Sequence, residues 1–277
     1  MFEFFNYPFF INALAGLAII SVASAMIGTY IVTRRLVSIS GGVTHACFGG
    51  LGLGYYFGVN PIFMAAVFAI ASSMGVELMS TRGRIREDSA TAVVWALGMA
   101  VGILFVFLTP GYVPELNGFL FGNVLTIASG DLWAFGIFTA ILIAFFALYY
   151  KKIVLCAFDR DFATVMHLPV KLINYTMTVL VAVCIVLTIR LVGVMLLMSM
   201  LTLPQMISEL FCRRFGSIML TSVGVSLFCC VGGLMLCTVI DVPCSALIVL
   251  GMCAIYLVLS LTVPSLRNSK QSHASHR

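Results

Sequence analysis

Long apolar runs, separated by short polar or basic breaks, extend along the chain from residue 9 to residue 263. A helix needs about 20 apolar residues to cross the hydrocarbon core of a bilayer, so each run is a candidate membrane-spanning helix. The pattern predicts nine segments, at residues 9–33, 42–58, 61–80, 90–108, 131–150, 172–190, 191–206, 217–239 and 243–263. Because the seventh segment is short enough to be re-entrant, we expect eight or nine crossings.

The composition supports this interpretation, since 62% of the residues are hydrophobic and only 9% are charged. Soluble domains are about 45–50% apolar and about 25% charged. We therefore predict an all-α membrane protein, a polytopic helical bundle of eight to nine transmembrane helices. Residues 1–264 are expected to form this transmembrane domain, and residues 265–277 a polar, disordered cytoplasmic tail. The net charge of +5 does not indicate a nucleic-acid partner, because the cations are predicted to lie on one side of the membrane.

The positions of the basic residues predict the orientation of the chain, because cytoplasmic loops collect lysine and arginine. With nine crossings and an external N-terminus, 14 of the 15 basic residues are cytoplasmic and only Arg190 is external. Glu115, Asp131 and Asp241 then lie on the external side. The longest external connection, Thr109–Gly130, is expected to hold a short surface helix and to offer a landing surface for an external partner.

The segment Ser38–Gly58 combines many glycines with a histidine. In a helix its small residues recur every four positions along one face, at Gly42, Ala46, Gly50, Gly54 and Gly58. Such a stripe lets neighbouring helix backbones approach closely in lipid. On the adjacent row Gly41 and Gly49 lie one turn from His45, which predicts open space beside the imidazole. The segment is either part of a metal-ion pathway or a glycine zipper with an incidental histidine.

The sequence lacks the common short motifs for nucleotide binding and for hydrolytic catalysis. There is no G-x-x-x-x-G-K-[ST] loop for a nucleotide, no HExxH metalloprotease motif and no GxSxG nucleophile elbow. The ten acidic residues lie in loops or near the ends of the predicted spans, whereas proton-driven carriers keep ionisable groups within the membrane. This pattern favours a passive pathway driven by another subunit, with a self-sufficient metal channel or secondary carrier as the alternative.

The sulfur-containing residues are expected to be structural. The nine cysteines show no CxxC or zinc-finger spacing and most lie inside apolar runs, which is typical of buried free thiols. Met195, Met198 and Met200 are expected to fill the core, with soft contacts to a metal as the alternative.

A second informative stretch is Leu191–Phe215, in which a very apolar segment is predicted to end at Pro204. The piece that follows is amphipathic, with Ile207, Leu210 and Phe211 on one helical face. The charge pattern places this piece in the cytoplasm. It is either an interfacial turn or a projecting segment that docks on an energy-supplying cytoplasmic subunit.

Six sequence blocks follow one another along nearly the whole chain: SISGGVTHA (38–46), REDSATAVVWALGMAVG (86–102), GFLFGN (118–123), DRDFATVMHLPV (159–170), LVGVMLLMSMLTLP (191–204) and DVPCSALIVL (241–250). Together and in this order they resemble the membrane permeases of bacterial ABC importers for zinc, manganese and iron. The resemblance implies a fold like that of type II ABC importer permeases and a place in the bacterial inner membrane.

The resemblance also implies partners. The permease would form a homodimer, or pair with a close relative, around a central pathway. Two cytoplasmic ABC ATPase subunits would hydrolyse ATP, and an extracytoplasmic metal-binding protein would deliver the ion. The chain itself would be no enzyme and would bind no cofactor; its cargo would be a divalent metal.

The resemblance assigns residues as well. His45 matches the histidine of a family motif in the second span, while Gly41 stands where the family often has an aspartate. The missing carboxylate inclines the metal toward zinc, with manganese or iron possible. The expected pathway-packing glycines are Gly41, Gly42, Gly49, Gly50 and Gly54. The expected ATPase-coupling residues are Pro204, Gln205, Ser208, Glu209, Arg213 and Arg214.

Overall fold

The computed structural model of the chain describes residues 7–83, 85–111, 122, 124–240 and 242–274. These residues form α-helices joined by short turns and include no β-strand, which confirms the predicted fold class. The helices are α1 (Pro8–Thr33), α2 (Val37–Phe57), α3 (Pro61–Gly83), α4 (Glu87–Leu108), α5 (Ser129–Phe158), α6 (Arg160–Val165), α7 (Val170–Glu209), α8 (Phe215–Ile240) and α9 (Cys244–Ala274), with a 3-10 turn at Val124–Thr126.

Local sequence signals set several helix ends. The α2 helix stops at Gly58, whose φ of 66° lies in the left-handed region that glycine adopts without strain. Pro61 opens α3, and the Asn60 side-chain oxygen accepts a 3.0 Å hydrogen bond from the backbone N–H of Ile62. The Asp159 carboxylate caps α6 by accepting a 2.8 Å hydrogen bond from the Phe162 N–H.

Seven helices in the described ranges are long and apolar enough to cross a membrane. The 21-residue α2 is not among them, because its glycines and polar residues lower its mean hydropathy. The 40-residue α7 counts once, although Gly193 (φ 80°, ψ 171°) breaks it into α7a, residues 170–192, and α7b, residues 194–209. Adding α2 and counting both halves of α7 recovers the nine predicted segments.

The two halves of α7 run in opposite directions. Arg190, near the end of α7a, pairs with Asp131 at the start of α5 at 2.9 Å. Beyond the Gly193 break, α7b returns toward the opposite end of the bundle, where Ser222 of α8 donates a 3.0 Å hydrogen bond to Ser208. A seventh crossing that begins near residue 191 is therefore present. The very apolar stretch ends at Pro204, but helix α7b continues through this proline to Glu209, slightly beyond the predicted end of the crossing at residue 206.

Burial separates central helices from peripheral ones. In α1 and α7, 61% of the most apolar window is buried, against 17% in α4. The peripheral helices present hydrocarbon side chains outward, including Leu97, Leu104, Phe107, Ile141, Leu148, Leu220, Phe228 and Leu250. In a bilayer this belt faces lipid, so α1 and α7 form the spine on which the other helices pack.

The ion pair of Arg190 with Asp131 agrees with the predicted orientation, which placed both residues on the external side. Glu115 and Asp241 lie outside the described residues, as does half of Thr109–Gly130; the described part includes the 3-10 turn at Val124–Thr126. Helix α9 extends through Ala274 and so into the segment predicted to be a polar tail.

Candidate functional site

The glycine stripe of α2 is the surface on which α3 packs. A Cβ atom added to Gly50 would lie 2.6 Å from the Cα of Ala65, and one added to Gly54 would lie 2.6 Å from the Cα of Pro61. No real side chain fits at such distances from backbone. The close approach that the four-residue spacing predicts is therefore present on this side of α2.

Glycines of α4 extend the same packing on the next side of α2. A Cβ atom on Gly98 would lie 2.5 Å from the Cα of Ala46, and one on Gly102 would lie 2.6 Å from the carbonyl carbon of Phe48. A Cβ atom on Gly42 of α2 would clash with the side-chain methyl group of Thr91 in α4. The sequence interpretation missed Gly98 and Gly102, although their own four-residue spacing was a usable signal for helix contact.

The open space expected beside His45 exists on one side only. One turn after His45, no space is left at Gly49. A Cβ atom there would lie 2.7 Å from the Phe68 ring and 3.0 Å from the Gly98 carbonyl oxygen. One turn before His45, the only neighbour within 4 Å of a Gly41 Cβ atom would be the terminal methyl of Met198, at 3.2 Å. Gly49 is therefore a packing residue, and Gly41 is the position that leaves room.

The His45 ring is half-buried, and its neighbours in α2, Thr44 and Gly41, approach α7b. On the α4 side it stacks on Trp95, with ring centroids 4.9 Å apart and planes inclined by 15°. On the α7b side the Thr44 hydroxyl lies 3.7 Å from the Met198 sulfur. The imidazole thus has one face stacked on Trp95 and remains partly accessible, while Gly41 leaves room one helical turn away.

No group of three or more histidine, cysteine, aspartate or glutamate side chains converges within the described part of the chain. Cys47, close to His45 in sequence, is buried and directs its thiol to the Val43 carbonyl at 3.1 Å. Within the described residues, His45 is therefore not part of a three-ligand metal cluster. A residue that a passing ion visits should bind it weakly, since the ion must also leave.

Three of the residues expected to contact an ATPase are buried, which corrects that expectation. Pro204 lacks an N–H, so the helix cannot supply the usual donor to the Met200 carbonyl. The Gln205 side chain donates to that carbonyl at 3.3 Å and to the Ser24 carbonyl of α1 at 3.2 Å. Ser208 is 1% exposed and is also held within the α7–α8 contact. Pro204, Gln205 and Ser208 therefore hold α7b in the bundle and offer no docking surface.

The other three coupling residues do lie at the surface. Glu209 ends α7b, and Arg213 and Arg214 follow in the turn before α8; all three are exposed. Phe211, in the same turn, has 58% of its surface exposed. An exposed aromatic ring beside three charged groups forms a compact surface at the end of the bundle that carries the basic clusters.

Comparison with known proteins identifies the family. The model of the ABC 3 transport family matches residues 6–263. A Chlamydia pneumoniae protein described as "Probable metal transport system membrane protein" is 35% identical over 242 residues, covering 85% of this chain and 81% of its own length. The manganese transport system membrane protein MntC of Listeria monocytogenes is 27% identical over 259 residues, covering 94% of this chain and 92% of its own.

A solved structure shares the fold. A chain of PsaBC from Streptococcus pneumoniae, solved in complex with Fab, superposes with a TM-score of 0.84. The alignment covers 98% of this chain and 99% of that one, at 23% sequence identity.

Proposed function

Because the chain belongs to the ABC 3 transport family, we propose that it is the membrane permease subunit of an ATP-driven importer for divalent transition-metal ions. In this role it is a transport subunit and not an enzyme. It lies in the bacterial inner membrane as a homodimer, receives the ion from an extracytoplasmic metal-binding protein, and is driven by cytoplasmic ABC ATPase subunits.

The observation that carries the metal assignment is the environment of His45. The imidazole is only half-buried although it lies on a helix packed tightly on two sides, and Gly41 leaves room next to it. An incidental histidine in a glycine zipper would be expected to be covered on all sides. Neutral imidazole is a good ligand for several divalent transition metals. Two copies of His45, one from each protomer, would form a weak site on the ion's route.

We propose zinc as the preferred cargo, with manganese and iron as the other candidates. Manganese favours carboxylate, carbonyl and water oxygens, whereas imidazole suits zinc, copper, iron and nickel. Gly41, one turn before His45, contributes no oxygen ligand to this site. We expect unlabelled zinc to compete with radioactive zinc for uptake at least about tenfold more effectively than unlabelled manganese does, a difference of about 1.4 kcal/mol. Equal competition would contradict the preference for zinc.

The contact with the ATPase is assigned to Glu209, Phe211, Arg213 and Arg214. They are exposed, they lie in one turn, and they follow directly from α7b, one end of which lies at the Gly193 break. A push on this turn would therefore be transmitted along a helix that passes close to His45.

Reversing the charge of Arg213 is expected to uncouple the two subunits. In the reconstituted permease–ATPase complex, Arg213→Glu should lower ATP-driven metal uptake at least about tenfold. The reason is that loss of a residue at the centre of an interface costs about 2 kcal/mol of binding free energy or more. The permease should still insert and purify as a folded dimer. A matched control is Arg35→Glu, an accessible basic residue in the α1–α2 turn, which should change uptake little. Normal coupling in Arg213→Glu would show that this turn is not the contact.

A further inference from the structure

The α7b half of α7 has one narrow accessible face in an otherwise buried helix. The positions that are not buried follow helical spacing: Met195, Met198, Ser199, Thr202, Leu203, Met206 and Glu209. We name Met195, Met198, Ser199, Thr202 and Met206 the α7b donor face, because each carries a sulfur or an oxygen atom. The expectation that the three methionines fill the core is confirmed for Met200, which is 0% exposed, and wrong for Met195, which is 43% exposed.

This face differs chemically from the lipid-facing surfaces of the same molecule. Most accessible positions on α4, α5 and α8 are hydrocarbon, as in Phe107 (91% exposed), Leu148 (78%) and Leu220 (71%), although α8 also exposes Thr221. Lipid tails offer no partner to a hydroxyl oxygen and no advantage to a thioether. Apart from Leu203, the accessible positions before Glu209 on α7b are methionine, serine and threonine, a composition better suited to a polar route than to acyl chains.

The hydroxyl groups on the donor face point their hydrogens into their own helix. Ser199 donates to the Met195 carbonyl at 3.0 Å, and Thr202 donates to the Met198 carbonyl at 2.8 Å. A hydroxyl has one hydrogen and two lone pairs, and a thioether sulfur has only lone pairs. With the hydrogens engaged, the atoms that remain available on this face are acceptors, which is the requirement for solvating a cation.

The donor face begins beside His45. The Met198 sulfur lies 3.7 Å from the Thr44 hydroxyl, and its methyl group is the neighbour of Gly41. His45 follows Thr44 directly and lies one turn from Gly41. From Met198 the face continues through Thr202 and Met206 to the exposed Glu209, a distance of about 16 Å at about 1.5 Å per residue.

We propose that the α7b donor face lines the route of the ion between His45 and the cytoplasm, and that it favours soft or borderline divalent cations. The proposal rests on the proposed function and extends it to a helix face that includes Met195 and Met198, which the sequence interpretation treated as core. Thioether sulfur and imidazole nitrogen are ligands of the softer metals, whereas manganese is better served by oxygen alone. The sulfur atoms would provide brief contacts that let an ion pass.

Accessibility to a water-soluble thiol reagent tests the lining. Ser199→Cys and Thr202→Cys are made in the full chain, assembled with its ATPase in membranes, and reacted with a charged maleimide. The controls are Leu220→Cys on the lipid-facing side, Met200→Cys in the core, and the unaltered chain, which sets the background of the native cysteines. We expect both donor-face cysteines to react at least tenfold faster than the two control cysteines, and zinc to slow the reaction.

Each outcome decides a separate point. Labelling of the donor-face cysteines as slow as that of Leu220→Cys would overturn the proposal. Ser199→Cys replaces only the hydroxyl oxygen by sulfur, so this variant is expected to fold like the unaltered chain. Fast labelling that zinc leaves unchanged would contradict the metal part. Labelling needs neither ATP nor transport, so zinc-protected cysteines in a complex without ATP-driven uptake would reject the proposed function and keep the lining. ATP-driven zinc uptake by a complex whose donor-face cysteines do not react would reject the lining and keep the proposed function.

Discussion

Replacing His45 by phenylalanine is expected to lower ATP-driven zinc uptake at least about tenfold at subsaturating zinc, the effect of losing about 1.4 kcal/mol of ion binding along the route. Phenylalanine keeps an aromatic ring against Trp95, whose centroid lies 4.9 Å from that of His45. It removes only the nitrogen atoms that bind a metal. The measurement is the initial rate of radioactive zinc uptake into proteoliposomes that contain the complete complex.

Two further variants separate ligand loss from loss of packing. His45→Ala should lower uptake as strongly as His45→Phe, while folding and assembly with the ATPase survive in both. His167→Asn removes an exposed imidazole in the turn after α6, where the φ of 57° suits asparagine, and should leave uptake unchanged. Uptake by His45→Phe at the level of the unaltered chain would reduce His45 to a packing residue and leave the glycine-zipper interpretation.

Gly102→Ala is expected to destabilise the bundle by about 1–3 kcal/mol, the typical cost of inserting a methyl group into a packed interior. The added Cβ atom would meet the backbone of Phe48, with the carbonyl carbon 2.6 Å away, and no side-chain rotation can relieve that contact. For a chain of this size the midpoint of thermal unfolding should fall by roughly 2–4 °C per kcal/mol. The loss of monodisperse protein on heating in detergent measures the change.

Gly75→Ala is the matched control for this substitution. Gly75 lies inside helix α3, and an added Cβ atom would meet nothing within 4 Å. Alanine favours the helix over glycine by about 1 kcal/mol, so this variant should be as stable as the unaltered chain or slightly more stable. Equal stability of Gly102→Ala and Gly75→Ala would show that α2 and α4 do not depend on the glycine contact.

Much of the architecture could be predicted from local signals. Runs of apolar residues gave the spans, and the side occupied by the basic residues put Arg190 and Asp131 on the same side of the membrane, in agreement with their 2.9 Å contact. The four-residue spacing of Gly42, Gly50 and Gly54 likewise predicted the close approach to neighbouring helices. Each of these features follows from a helical spacing or from the composition of a short segment, so the local sequence is enough to predict it.

Other features depend on contacts between distant parts of the chain. The reversal at Gly193 requires a positive φ, and nothing in the apolar run LVGV distinguishes that glycine from one inside a helix. Gln205 was expected at the surface because the segment that begins at Pro204 resembles the coupling region of the family. Its amide is instead used to satisfy the carbonyls of Met200 and Ser24, the latter on another helix. The stack of His45 on Trp95 joins residues 50 positions apart and had no sequence signal.

The donor face of α7b illustrates the same limit for function. Methionines in an apolar run favour core packing, and Met200 follows that expectation. Only the helical register relative to α1 and α8 decides that Met195 and Met198 point elsewhere. A sequence pattern therefore identifies a helix of this kind, while its accessible side emerges from the packing of the bundle.

The most direct test of the central claim, that this chain is a passive conduit powered by another subunit, is zinc accumulation in proteoliposomes. Four samples are compared, all with the metal-binding protein present: the chain alone or with its ABC ATPase, each with and without ATP. The account predicts accumulation only in the sample that holds both the ATPase and ATP. Accumulation by the chain alone, without ATP, would contradict it and establish a channel or secondary carrier.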